Sequence, residues 1–394
     1  MKVDYLIIGA GIIGAALAAE IARRKPAARI LVAEKEKDAA WHQTGRNSGV
    51  VHSGVYYTPG SLKTRFCRAG MEATKAFCAT RGIGYEERGK LLVATNAQEA
   101  ANLAKLQERA AQNDVKAERL ELAELKRLEP AITGLAALHI PATAITDYAG
   151  ITRALLADVE TAGGTVRFNA PVLTARKAGE AYEVDVGGDR ISAGHIIACS
   201  GLASDRVARM LGIDPGIRIV PFRGEYFVLP TRLQTVVSHL IYPVPNPALP
   251  FLGVHLTPMI DGTITVGPNA VLALAREKYT RFSVDPHDAW SALSYPGLWK
   301  MLARHPLPTL NELKGSLFKR VYLQAVRKYC PEVRLEDLTT YRSANRAQAV
   351  RPDGTLVDDF LIKRLDGITA ILNAPSPAAT GAIPIARQIA DDIL

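Results

Sequence analysis

Cysteine is scarce in this chain of 394 residues. The four, Cys67, Cys78, Cys199 and Cys330, lie far apart and match no metal or redox spacing, so they read as reduced, buried thiols of a cytoplasmic protein. No His/Cys cluster is present either, and no metal is expected. Internal repeats and low-complexity tracts are absent, which excludes a repeat architecture. Long apolar runs are also missing. The nearest approach is the start, MKVDYLIIGAGIIGAALAAEIA, where Asp4 interrupts, Glu20 closes the run and three glycines intervene. It reads as neither a signal peptide nor a span, and no other segment nears ~18 apolar residues, so no transmembrane helix is expected. The remaining composition, 48% hydrophobic and 22% charged, is that of a soluble globular protein, and the length suggests two domains.

Those glycines carry the first chemical signal. Val3 to Ile8 reads as a buried strand, Gly9-Ala10-Gly11-Ile12-Ile13-Gly14 follows, and an alanine-rich helix runs to about Arg24. Arg29 to Ala33 is a second β-rich run, closed by Glu34, 20 residues beyond Gly14. Strand, glycines, helix, strand and acid in this order are the dinucleotide fingerprint in its required context. Gly9 permits the tight turn, Gly11 lets a pyrophosphate approach the helix N-terminus, and Gly14 allows close helix–strand packing. Glu34 can accept hydrogen bonds from ribose hydroxyls.

An NAD domain would continue with further βα units. Here the chain enters WHQTGRNSGVVHSGVYYTPGS instead, rich in hydroxyls, an amide and glycines. FAD is longer than NAD and needs extra loops for its ribityl and isoalloxazine parts. Thr44, Arg46, Asn47, Ser48 and Gly49 suit that need, so FAD is the expected cofactor.

Further along, Gly164 to Ser200 reads as a run of short strands, with Ile191–Cys199 and Gly201 resembling a returning strand and turn of the nucleotide domain. Prolines and glycines then punctuate β-like runs, RGEYFVLP, FLGVHLTP and GTITVGP, as in an antiparallel sheet. The end, DGITAILNAPSPAATGAIPIARQIADDIL, reads strand, polar turn and helix. The expected fold is α/β: a Rossmann-like FAD-binding domain assembled from segments 1–84, 148–214 and 339–394, with an inserted α+β substrate domain, 85–147 and 215–338, on a largely antiparallel sheet.

The stretches HQTGRNSGVVHSGVYYTPGSLK, PFRGEYF, YPVPNPALPFLGVHLTPMIDGTITVGPNAVLA and LNAPSPAATGAI span the chain. They resemble the D-amino-acid-oxidase-like FAD oxidoreductases and, within them, the L-2-hydroxyglutarate oxidase/dehydrogenase branch. Two departures stand out. The family's Gly-(Val/Ile)-Arg-(Ala/Pro) run is here SANRAQAV, with Asn345 before Arg346, and Pro384 falls within the expected terminal helix. The resemblance implies oxidation of a 2-hydroxy acid, L-2-hydroxyglutarate, to its 2-oxo acid, with hydride passing from Cα to flavin N5. A glycine, D-amino-acid or secondary-amine oxidase is the alternative within the same fold.

That chemistry needs a base for the hydroxyl proton, cations for two carboxylates and donors near the flavin N1–C2=O2 edge. Among eight histidines, His139, His195, His239, His287 and His305 lie in contexts without other chemistry. His52, in the flavin loop, and His255, in a β-run, are the candidates for substrate contact and catalysis. His255 is preferred as base, with the order open to exchange. Arg346 is the expected partner of the C1 carboxylate, with Arg351 as alternative. Tyr242, Lys63 and Arg65 are candidates for the distal carboxylate, and Arg223 is more readily paired with Glu225 or a backbone carbonyl. Cofactor contacts are expected from Gly9, Gly11, Ile12, Ile13, Gly14, Glu34, Lys35, His42, Thr44, Arg46, Asn47, Ser48, Val172 and Gly201. The turn Ser376, Pro377, Ala378, Ala379 and Thr380 should add backbone donors at the start of the terminal helix. In some of the wider family a histidine at the place of His42 is bonded covalently to flavin; packing beside the ring is the plainer expectation.

The net charge of +9 invites nucleic acid or membrane as partner. RNA binding would call for basic residues interleaved with aromatics around the site, and the charge is elsewhere. Residues 276–330 hold ten Lys/Arg against four Asp/Glu, and two of the three tryptophans. Such a segment suits contact with anionic head groups. Electrons would then pass to oxygen or to a membrane quinone, in a protein that is cytoplasmic or rests on the cytoplasmic face of the inner membrane.

Overall fold

A computed structural model describes residues 1–245, 253–304 and 306–394, with the backbone alone at 307–311. His305 and the Phe251-Leu252 head of the FLGVHLTP run lie outside the described residues. The first sheet has eight strands. Lys2–Ile8 is flanked in parallel by Ile30–Ala33 and Asp189–Ala198, and Thr165–Arg167 and Ile368–Asn373 extend the parallel set. Val172–Ala178, Ala181–Val186 and Leu361–Leu365 add antiparallel strands. Helices Ile12–Arg24, Tyr148–Thr161 and Ala382–Ile393 cover one face through a shared core that includes Leu17, Ile21, Leu155, Ile385 and Ile389. Ala15, Ala16 and Ala18 keep the first helix slim enough for its neighbours to approach. Leu17 and Ile21 are fully buried, and truncating either to alanine would cost about 2–5 kcal/mol.

Pro384 is the third residue of the terminal helix. First-turn N–H groups lack intrahelical acceptors, so the proline neither breaks a bond nor kinks the helix.

The second sheet has nine strands and is largely antiparallel. Arg218–Val228, Val271–Leu272, Ile264–Gly267, His255–Pro258 and Leu240–Pro243 form one half. Leu240–Pro243 joins in parallel to Lys90–Ala94, which pairs with Ala136–Ile140. One assignment needs correction. Thr339–Val350, expected in the nucleotide segment 339–394, pairs antiparallel with Arg218–Val228 from Arg218↔Val350 to Val228↔Thr339. Its length decides this: twelve residues can complete the second sheet and still deliver Ala349 to the core beneath the first. A third sheet, of Val50–Val51, Ala144–Thr146 and Tyr85–Glu87, straddles the expected boundaries and anchors the loop after Glu34.

Candidate active site

The glycine turn has the shape a dinucleotide requires. Gly9 takes φ +108°, where a side chain is strained, and a Cβ there would meet the Cys199 carbonyl oxygen at 2.7 Å. A Cβ on Gly14 would meet the Gly9 carbonyl oxygen at 2.0 Å. Gly11 differs: its Cβ would meet only Thr44 Oγ1, at 3.4 Å, so the space in front of it is left for a ligand. The Ile12 N–H donates to Thr44 Oγ1 at 3.1 Å. The next donors of that helix, beginning with Ile13, have no intrahelical acceptor by geometry and suit an anion. Glu34 is buried and accepts from the Ala10 and Glu36 N–H groups at 2.8 and 2.9 Å, which holds its carboxylate at the end of the second strand with lone pairs to spare. Val172 follows Ala170, whose N–H bonds the Glu34 carbonyl, so it borders the same end. Ser200, beside Gly201, has a buried hydroxyl with no partner among the described residues. An open cradle at Gly11, a fixed acid and an orphan hydroxyl fit FAD.

The loop residues divide. Thr44 and Asn47 shape the turn: the Asn47 amide donates to the Thr44 carbonyl at 2.7 Å and accepts from the Gly49 N–H at 2.8 Å. Ser48 lies half-buried beside them. The Arg46 guanidinium lies over the Tyr279 ring at 3.8 Å. Lys35 pairs with Glu36 and Glu277. Both ring nitrogens of His42 are engaged, Nδ1 with the Tyr279 hydroxyl and Nε2 with Glu36 at 3.0 Å. These contacts hold the ring, and His42 lies with Lys35 in a polar cluster just beyond Glu34.

In the terminal turn, the Ala378 and Gly381 N–H groups donate to the Pro375 and Pro377 carbonyls. The N–H groups of Ala379 and Thr380 have no acceptor among the described residues. The Thr380 hydroxyl accepts from the His52 N–H at 3.1 Å and lies 2.9 Å from the Tyr148 hydroxyl, so it ties the flavin loop to the turn. Ser376 and Pro377 precede these donors and set their position.

The candidate reaction centre is assembled by strands far apart in sequence. His255 opens strand His255–Pro258 and is 4% exposed; its ring stacks on Tyr242 with centroids 3.9 Å apart and planes 7° from parallel. Tyr242 thus serves as a wall that fixes His255. His52 enters from the flavin loop, its carbonyl accepting from the Cys67 thiol at 3.1 Å. Nδ1 of both histidines is buried without a partner among the described residues. Burial, then the charges of Lys90 and Arg346, drives His52 down to about 3. Burial, then Arg346, Lys90 and His52, holds His255 well below the usual histidine range. Each is held as a neutral imidazole, whose unprotonated ring nitrogen can accept a hydrogen bond. Arg346 is exposed and has no ion-pair partner among the described residues. Asn345, the departure beside it, is buried and donates to the carbonyls of Ala275, Arg276 and Lys278, so it anchors the strand.

Lys90 escaped the sequence reading. It is 1% exposed, with Nζ 4.5 Å from the centroid of Tyr242 and 5.1 Å from that of Tyr56. A lysine opening an apolar strand reads as a solvated edge. Its own strand gives no alternation to mark it, because all five residues of Lys90–Ala94 are buried.

Other candidates fall away. Arg65 is exposed on its helix, and Lys63 lies 5.9 Å from the Tyr57 ring with Asp358 and Asp359 as its nearby charges. Arg351 belongs to the turn closed by its N–H to the Thr355 carbonyl. Arg223 pairs with Glu225 at 2.9 Å. His239 pairs with Glu129, His195 bonds Thr369, His139 lies edge-on to His239, and His287 is exposed.

A nucleotide cradle, two imidazoles with an unpartnered Nδ1 and a guanidinium without an ion pair among the described residues, on two joined sheets, fit a flavin-dependent oxidoreductase. Comparison with known proteins agrees. The model of the FAD dependent oxidoreductase family matches residues 4–392, and the chain belongs to that family. It is 48% identical to the L-2-hydroxyglutarate dehydrogenase of Escherichia coli (strain K12) over 392 residues, covering 99% of this chain and 93% of the relative. It is 39% identical to the mitochondrial L-2-hydroxyglutarate dehydrogenase of Homo sapiens over 408 residues, covering 99% and 88%. Among solved structures, L-alpha-glycerophosphate oxidase from Mycoplasma pneumoniae with FAD bound superposes with a TM-score of 0.81 at 21% identity, covering 99% of this chain and 94% of that one. Glycine oxidase from Geobacillus kaustophilus gives 0.75 at 16%, covering 99% and 94%. At those identities the structures speak for the fold.

Proposed function

We propose that this FAD-dependent enzyme oxidises L-2-hydroxyglutarate to 2-oxoglutarate. The observation that carries the reading is the pair of neutral imidazoles, His255 and His52, each with a buried Nδ1 that has no partner among the described residues, beside Arg346, which has no ion-pair partner among them. FAD, when bound, supplies the hydride acceptor for Cα. Arg346 holds the C1 carboxylate through a charge-assisted fork. His255, fixed by its stack on Tyr242, takes the hydroxyl proton, and His52 orients the hydroxyl. An amine substrate binding as its free base would need no such acceptor, so the imidazoles favour an alcohol. The identity to curated L-2-hydroxyglutarate dehydrogenases supports the diacid. The test is anaerobic: the bound yellow flavin should bleach with L-2-hydroxyglutarate. Bleaching with glycine or D-amino acids instead would replace this reading by the amine oxidase.

Electrons then leave to oxygen or to a membrane quinone, and residues 276–330 rest on an anionic membrane surface. Among the described residues, no helix is long and apolar enough to cross a membrane, so contact would be peripheral. In support, Phe282, Trp290, Trp299 and Phe318 are 54–74% exposed, beside Lys300, Arg304, Lys319 and Arg320. Part of the expected pattern is otherwise employed. Leu298 and Met301 are buried, Tyr322, Leu323 and Val326 pack on the sheet, and Arg276 and Arg281 pair with Asp205 and Glu225. In the 298–301 stretch the Trp299 ring, its indole N–H bonded to the Leu293 carbonyl at 2.7 Å, is exposed beside Lys300.

A further inference from the structure

Lys90 presents a cation with nothing to balance it. Its side chain is among the largest fully buried ones, yet no hydrogen bond or ion pair reaches Nζ among the described residues. Its neighbours are rings: Tyr242, which carries His255 on its face, and Tyr56, whose hydroxyl is itself buried without a partner. A buried charge without a counter-ion destabilises a fold unless a partner arrives. The position is also held firmly: Lys90 pairs with Ile140 on one side and Leu240 on the other, so its side chain cannot pass to the other face without opening the sheet.

The second cation, Arg346, reaches the same histidines from the strand Thr339–Val350, on the other side of the site. Glu312, half-buried, accepts from the Ala270 N–H and has Arg346 rather than Lys90 as its nearby cation. Two separated cations around a neutral imidazole pair complement a dianion with its charges at opposite ends.

We propose that Lys90, with the Tyr56 hydroxyl, binds the distal carboxylate of a dicarboxylic 2-hydroxy acid and is the residue that selects diacids over monoacids. This rests on the hydroxy-acid reading above and assigns the distal carboxylate to Lys90 in place of Lys63 or Arg65. A charged hydrogen bond in a desolvated site should discriminate by on the order of 100-fold or more.

The test compares kcat/KM for L-2-hydroxyglutarate and L-2-hydroxypentanoate in the FAD-loaded wild type, Lys90→Met and Lys90→Arg. The diacid-to-monoacid ratio should fall about 100-fold in Lys90→Met, with Lys90→Arg, which keeps the charge, retaining part of it. Perturbation of the bound-flavin spectrum by glutarate and by butyrate measures the same preference without turnover, and Tyr56→Phe should weaken glutarate alone. An unchanged ratio in Lys90→Met, with glutarate still bound as in wild type, overturns the proposal. A wild type inert to L-2-hydroxyglutarate sinks the functional reading instead, and glutarate against butyrate still decides whether Lys90 is a carboxylate site. If Lys90→Met fails to load FAD, Tyr56→Phe and Lys90→Arg carry the comparison, and glutarate binding unaffected in both counts against the assignment.

Discussion

The rings of Tyr242 and His255 lie face to face, 3.9 Å apart and 7° from parallel, on two neighbouring strands of the second sheet. The stack fixes the plane of the imidazole while leaving its Nδ1 unpaired. His255→Ala should therefore slow flavin reduction by L-2-hydroxyglutarate by about 100-fold or more, the usual scale for loss of a general base. Tyr242→Phe should preserve most of the rate, and Tyr242→Ala should fall between, because the base survives but its orientation does not. Anaerobic stopped-flow measurement separates the three. A wild-type rate in His255→Ala with a collapsed rate in His52→Ala exchanges the two roles.

The acid limb of kcat/KM should lie well below pH 6.5. Burial and neighbouring cations push His52 down to about 3 and hold His255 low, so each imidazole stays neutral as the pH drops from 7 through 6. Removing a neighbouring cation must raise a histidine's pKa, so in Lys90→Met the limb should move toward higher pH. A wild-type limb at the ordinary histidine value would remove both histidines as the base.

Lys90 should also show in stability. Burial lowers its pKa from 10.5 to about 8. Between those values the unfolded chain binds the proton more than the folded one, so stability rises with pH across that window, and the full penalty applies below pH 8. Lys90→Met lacks the penalty and should be more stable at pH 7 by up to about 3 kcal/mol. Substrate-free unfolding of both proteins from pH 7 to 10 should show the gap narrowing as the pH climbs. A Met variant less stable than wild type at pH 7 contradicts this.

Gly11→Val should yield a folded but colourless protein. The space before Gly11 is open apart from Thr44 Oγ1, so the branched side chain fits the chain and blocks the ligand. Absorbance in the flavin bands after reconstitution with FAD, set against an unchanged far-ultraviolet circular dichroism spectrum, is the measurement. Wild-type flavin content would place the pyrophosphate elsewhere.

Anionic liposomes should sediment the protein at low salt and release it at high salt, since charged contacts weaken as the screening length shrinks. Trp299→Ala should lower the bound fraction. Absence of binding at low salt would leave the basic segment as a solvated surface.

The sequence determined the nucleotide end. Gly9, Gly11, Gly14 and Glu34 answer local demands, a turn, a close approach and a ribose, and local demands leave local patterns. Thr380 and its donors follow from one turn before one helix, and His255 and His52 stood out because imidazole is rare and their stretches match a family. The tertiary structure decided what depends on distant strands meeting. Thr339–Val350 joined the second sheet because its length suits pairing with Arg218–Val228, a partner some 120 residues away. His42 was tied to Glu36 and Tyr279. Lys90, which reads as an edge residue, became a buried cation because Leu240–Pro243 and Ala136–Ile140 close over its strand from both sides. Burial is what turns a common lysine into a selective one, and burial is a property of the assembled sheet, set by pairings that no window of neighbouring residues contains.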